Sequence, residues 1–128
     1  MGTLSALHPA DFGSQVLKQL LEEKNINRKD IDEVLVGNIL PAGLKQGLAR
    51  QISIGAGIPA EVPAYGVNMV CGSGMKTVMT GYANIALGLQ NLVVAGGAES
   101  MSKAPYLVPA QVRSGVKMGE QPMRDHML

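Results

Sequence analysis

Between Gly72 and Gly97 the only charged side chain is Lys76, and no other feature limits the possible folds as much. Within that run Met75, Val78, Met79, Tyr82, Ala86 and Leu89 recur at helical spacing. A helix apolar on every side is normally covered on every side, so this one is expected inside a layered protein or inside an assembly. The segment Val62-Pro63-Ala64-Tyr65-Gly66-Val67 before it reads as a short buried strand. The segment Asn91-Leu92-Val93-Val94-Ala95-Gly96-Gly97 after it reads as another. The junction of the first strand with the helix holds the single cysteine of the chain, Cys71.

Upstream, Pro9 and Asp11 mark a helix start next to His8, since proline fits the first helical position and a carboxylate suits the positive end. Phe12, Val16, Leu17, Leu20 and Leu21 form its apolar stripe. A polar link from Asn25 to Asp30 leads into Asp32-Glu33-Val34-Leu35-Val36-Gly37-Asn38, a strand apolar on both faces in its middle. After Pro41 and Gly43 a second helix is predicted over Gly47 to Ala56, ending near Gly57 and Pro59. The order helix, strand, helix, strand, helix, strand is that of an α/β fold with a parallel sheet. From Ala98 onward prolines and glycines mix with Lys103, Arg113, Lys117 and Arg124, and no periodicity lasts. This reads as an extended loop or arm. The domain boundary is therefore placed at 97/98, with an α/β unit over residues 1–97 and an arm over 98–128.

Cys71 carries a suggestive chemical signal. A cysteine on the first turn of a helix lies among unpaired N–H groups at the positive end of the dipole, a field that favours the nucleophilic thiolate. Gly72 and Gly74 would leave the sulfur unshielded toward a flat electrophile. Against this, free cysteine is among the most buried residue types and often serves as a small hydrophobe, and position alone leaves both readings open.

Other chemistries fare worse. In Gly72-Ser73-Gly74-Met75-Lys76-Thr77 the phosphate-loop spacing fails because Met75 stands where a glycine must precede the lysine. The dinucleotide fingerprint fails at Thr77. His8 and His126 lie at opposite ends with no neighbouring cluster of ligand spacing, so no metal site and no bound cofactor is expected. His8 reads as a helix-start residue and His126 as a solvated one. Glu99 fits a hydrogen-bond acceptor for the loop backbone better than a general base. A net charge of +1 and 3% aromatic residues argue against nucleic-acid binding. No apolar run approaches the ~20 residues that span a bilayer, so no membrane partner is expected. A single cysteine fits a reducing compartment, and a cytoplasmic location is expected.

The residues Val67-Asn68 and Cys71-Gly72-Ser73-Gly74-Met75-Lys76 resemble the nucleophile segment of the thiolases, the acetyl-CoA C-acetyltransferases. Val36-Gly37-Asn38-Ile39-Leu40, Ala49-Arg50-Gln51, Ala95-Gly96-Gly97-Ala98-Glu99-Ser100-Met101-Ser102 and Lys117-Met118-Gly119-Glu120 agree with the same family in order and spacing. Two positions depart from it. Leu48 stands where the family usually has proline, and Lys45 where it usually has glycine.

The resemblance implies a thiolase-like N-terminal α/β domain, with Cys71 as the nucleophile toward acyl-CoA thioesters and its N–H as half of an oxyanion hole. Coenzyme A thioesters would be substrates, and no further cofactor is implied. It also implies a homodimer or homotetramer, with 111–128 as the start of a tetramerisation arm. The histidine, second cysteine and Asn-Glu motif of the family belong to later segments, so these residues are expected to be an inactive fragment cut at both ends. The first strand of the family is expected to be missing as well, depriving the strands at Val34–Gly37 and Leu92–Gly96 of a shared neighbour. A ketoacyl-synthase-type condensing enzyme and a non-catalytic assembly fragment are the alternatives.

Overall fold

The computed structural model describes residues 2–128. Helix α1 (Pro9–Glu23) starts as its sequence dictates, with Pro9 in the first turn and His8 as N-cap, its Nδ1 accepting from the Ala10 N–H at 3.2 Å. Strand β1 (Glu33–Gly37), helix α2 (Leu48–Gly55), strand β2 (Ala64–Val67), helix α3 (Ser73–Ala86) and strand β3 (Val93–Gly97) follow in the expected alternation.

The three strands form one parallel sheet in the order β2-β1-β3. β1 and β3 therefore pair directly, from Glu33 with Val93 to Gly37 with Gly97, and the gap expected from a missing shared neighbour is closed. Their backbone groups satisfy one another without an intervening strand. Only the central strand β1 is buried along its whole length. The edge strands β2 and β3, expected to be buried, are partly exposed because each has a partner on one side only.

Alternation along β1 divides two faces. Val34 and Val36 join Leu17 and Leu21 of α1 and Leu48, Ala49 and Ile52 of α2 in the main core. α1 and α2 approach closely because Gly13 has no side chain, and a Cβ there would lie 2.6 Å from Ile52 Cδ1. Of the apolar stripe predicted for α1, Leu17 and Leu21 are buried whereas Val16 and Leu20 are exposed. These two line an apolar cleft of about 180 Å³ between α1 and β3, together with Phe12, Val94 and Ala98.

Glu33 and Gly37 face α3 on the other side. Glu33 is buried and accepts from Asn84 Nδ2 at 2.8 Å, which ties the end of α3 to the beginning of the sheet. α3 lies on the sheet through its small residues Ser73, Thr77 and Gly81, spaced one helical repeat apart. Met75, Val78, Met79, Tyr82 and Leu89 are exposed, so the cover expected for an all-apolar helix from a further layer or an assembly is not supplied by the described residues. Among the described residues the sheet covers one face of α3 and nothing covers the other.

Beyond Gly97 the chain has little regular structure. β4 (Tyr106–Leu107) and β5 (Arg124–Asp125) form a short antiparallel pair. His126, expected to be solvated, is half-buried, and its Nε2 accepts from the Ala42 N–H at 3.3 Å. The arm is thereby fastened back to the loop after β1.

Candidate active site

Because β1, β2 and β3 are parallel, the loops leaving Gly37, Val67 and Gly97 emerge at one edge of the sheet, the carboxyl end where open α/β folds place their sites. Glu99 organises this edge. Its Oε2 accepts from the Ile39 N–H at 2.8 Å, and its Oε1 accepts from Asn38 Nδ2 at 2.8 Å and from the Leu40 N–H at 3.2 Å. Asn38 Nδ2 also donates to the Ala98 carbonyl at 3.1 Å. The carboxylate is thus an acceptor for loop backbone, as expected from sequence. The Ile39 carbonyl in turn accepts from Asn68 Nδ2 at 3.4 Å, linking this loop to the cysteine loop.

The first turn of α3 sits directly on this edge. A Cβ on Gly37 would lie 2.7 Å from both the Gly74 nitrogen and the Ser73 carbonyl carbon, so only glycine lets the helix approach so closely. Thr77, fully buried, donates its hydroxyl to the carbonyls of Gly74 at 2.7 Å or Gly96 at 3.0 Å and fixes the same contact from β3.

Cys71 is a free, exposed thiol. It lies just ahead of the helix instead of on its first turn, since Gly72 is the N-cap and Ser73 the first helical residue. No side chain caps α3; the Gly72 and Ser73 N–H groups donate to the Met69 and Val70 carbonyls, and those of Gly74 and Met75 make no hydrogen bond among the described residues. A Cβ at Gly74 would meet nothing within 4 Å, whereas one at Gly72 would lie 2.6 Å from Met69 Cε, so Gly72 makes room for Met69.

The turn that presents Cys71 has a feature that sequence reasoning missed. Val70 adopts φ +48°, a left-handed conformation that β-branched residues avoid. Asn68 Oδ1 accepts from the Val70 N–H at 3.1 Å. Ser73 Oγ accepts from the Met69 N–H at 2.9 Å and donates to the Val70 carbonyl at 2.6 Å. The serine-glycine context was visible in sequence, but nothing in it distinguishes a serine that caps its own helix from one that turns back on the preceding loop.

The remaining motif residues brace the surroundings. Arg50 donates to the Val62 carbonyl at 2.9 Å and to that of Ala60, and Gln51 Nε2 donates to the Leu44 carbonyl at 2.7 Å and to that of Gln46 at 3.1 Å. Ala49-Arg50-Gln51 thus anchors the loops on both sides of α2. Neither histidine hydrogen-bonds Cys71 among the described residues; His8 Nδ1 accepts from Ala10 and His126 Nε2 from Ala42. Asp32 and Tyr65 are displaced in acidity for structural reasons. The N–H groups of Leu92 and Asn91, which donate to Asp32 Oδ2, hold its carboxyl below the usual range. Burial, with the neighbouring Glu33 charge, pushes the Tyr65 phenol up.

The family model described as "Thiolase, N-terminal domain" matches residues 1–128. The chain belongs to the thiolase family. Cytosolic acetyl-CoA acetyltransferase of Rattus norvegicus is 46% identical over 127 residues, covering 99% of this chain and 32% of that protein. Acetyl-CoA acetyltransferase of Thiocystis violacea is 44% identical over 127 residues, with the same two coverages. Among solved structures, the Acat5 thiolase from Ascaris suum in complex with coenzyme A superposes with a TM-score of 0.89 at 38% identity, over 99% of this chain and 32% of that one. The Bacillus anthracis acetyl-CoA acetyltransferase gives 0.88 at 31% identity, over 98% and 32%. This thiolase chain therefore spans about a third of the length of the relatives it matches.

Proposed function

We propose that Cys71 is the acyl-accepting nucleophile of a complete acetyl-CoA C-acetyltransferase to which this chain contributes the N-terminal part. One observation carries the reading: in a chain that matches the thiolase N-terminal domain throughout, the single cysteine is exposed on a tight turn at the uncapped start of α3. The free N–H groups and dipole of a helix start favour negative charge, both on the attacking sulfur and on the oxygen that develops when a carbonyl is attacked.

The Cys71 sulfur attacks the thioester carbonyl of acetyl-CoA, coenzyme A leaves as its thiol, and an S-acetyl cysteine remains. A second acetyl-CoA, deprotonated at its methyl carbon, attacks that acyl carbon. The new carbon–carbon bond yields acetoacetyl-CoA, and the cysteine sulfur departs. Cleavage of a 3-ketoacyl-CoA is the same path reversed. The proton transfers need a base that other segments supply, because among the described residues neither histidine hydrogen-bonds Cys71. Coenzyme A thioesters are the substrates, and the complete protein works in the cytosol as a dimer or tetramer.

The uncovered apolar face of α3 supports a second point, that these residues alone have no thiolytic turnover and tend to aggregate. Substituting Cys71 by alanine in the complete protein tests the main reading. Thiolysis of acetoacetyl-CoA is expected to vanish with binding of coenzyme A retained. Turnover that survives the substitution refutes the reading.

A further inference from the structure

We infer that Ser73 is a positioning residue for Cys71: its buried hydroxyl, with the Asn68 carboxamide, holds Val70 in a left-handed backbone conformation and so sets the direction in which the next residue presents its sulfur. The inference rests on the reading of Cys71 as the nucleophile.

A valine at φ +48° persists only where its surroundings over-determine it. Here they do. The Val70 N–H is taken by Asn68 Oδ1, and the Val70 carbonyl accepts both the Ser73 hydroxyl at 2.6 Å and the Ser73 N–H at 3.1 Å. The Met69 N–H is taken by Ser73 Oγ, and the Met69 carbonyl accepts the Gly72 N–H at 3.0 Å. Ser73 is 4% exposed while Val70 itself is 64% exposed, so packing does not hold the valine in place and hydrogen bonds must.

The placement of the serine points the same way. It stands at the first residue of α3, one position past a glycine cap that offers no side chain. Its hydroxyl turns back on the loop and leaves the helix start uncapped. One buried group thus fixes the strained residue without capping the N–H groups of Gly74 and Met75, and both effects serve the neighbouring sulfur.

The test compares two reactions of Cys71 in the complete protein. Acylation by acetyl-CoA needs the sulfur aligned with the oxyanion donors, whereas alkylation by iodoacetamide does not. Ser73→Ala is expected to slow acylation at least about tenfold and to leave alkylation within about twofold. Adding Val70→Gly to Ser73→Ala is expected to restore most of the acylation rate, because glycine adopts the left-handed conformation unaided.

A serine needed only for folding would depress both reactions together, and one that touched substrate would not be rescued at Val70; either result overturns the inference, as does wild-type acylation by Ser73→Ala. Asn68→Ala removes an exposed side chain and provides a variant independent of the buried site. It should show a smaller loss of acylation with the same rescue, and no loss counts against the clamp. If wild-type protein takes up no acetyl group on Cys71, the nucleophile reading fails and takes the inference with it. If wild type is acylated and the variants behave like it, only the inference falls.

Discussion

Replacing Glu99 by alanine removes the acceptor for three donors on the loop after β1: the Ile39 N–H and Asn38 Nδ2 at 2.8 Å each, and the Leu40 N–H at 3.2 Å. A hydrogen bond to a charged group contributes about 1.5–3 kcal/mol net. The site is half-buried, so water can replace part of what is lost, and the longest of the three bonds counts for little. Two effective bonds at the low end give about 3 kcal/mol, and water compensation brings this to about 2 kcal/mol.

The loss is local, and hydrogen exchange reads it locally. A cost of about 2 kcal/mol raises the opening equilibrium roughly 30-fold, since each 1.4 kcal/mol is tenfold. Amide exchange in a peptide spanning Asn38 to Leu40 should therefore accelerate by about that factor in Glu99→Ala, while peptides from α1 stay unchanged. Glu99→Gln keeps one acceptor oxygen and should give a smaller acceleration. If exchange over Asn38 to Leu40 in Glu99→Ala stays within a factor of two of wild type, the carboxylate does not hold this loop.

Other consequences can be measured separately. Lys45 adopts φ +64°, which a glycine takes without strain, so Lys45→Gly should stabilise the protein by about 1 kcal/mol and raise its thermal midpoint; a fall would show that the turn is not strained. Gly37→Ala forces a methyl group onto the backbone of Ser73 and Gly74, and should cost about 1–3 kcal/mol in urea titration while slowing acylation of Cys71. Asp32 has a depressed folded-state pKa, so its contribution to stability is present above the ordinary carboxylate range and is lost as the pH falls through the depressed value. Asp32→Ala should therefore be less stable than wild type at neutral pH, and the gap should close in strong acid; a gap that widens there contradicts the assignment.

What could be read from the sequence was local. Pro9 and Asp11 announced α1, and the run Val34-Leu35-Val36 announced a strand buried on both faces, because those signals lie within a few residues of the structure they specify. The thiolase segments likewise marked the right elements: Asn38, Asn68, Cys71 and Glu99 all reach the same edge of the sheet. The pairing of β1 with β3 was not legible, since parallel partners meet through long crossovers that leave no trace in either strand. Nor was it legible which face of α3 meets the sheet, since the helix is apolar on every side; close approach selects the small residues Ser73, Thr77 and Gly81. The left-handed Val70 was hidden for a related reason: its side chain opposes that conformation, and hydrogen bonds from Asn68 and Ser73 impose it.

Whether Cys71 accepts the acyl group is settled by locating that group. The complete protein would be incubated with isotopically labelled acetyl-CoA, quenched in acid and digested, and its peptides sequenced by mass spectrometry. One acetyl label per chain is expected, on Cys71. Label on any other residue, or a turning-over enzyme with none on Cys71, would contradict it.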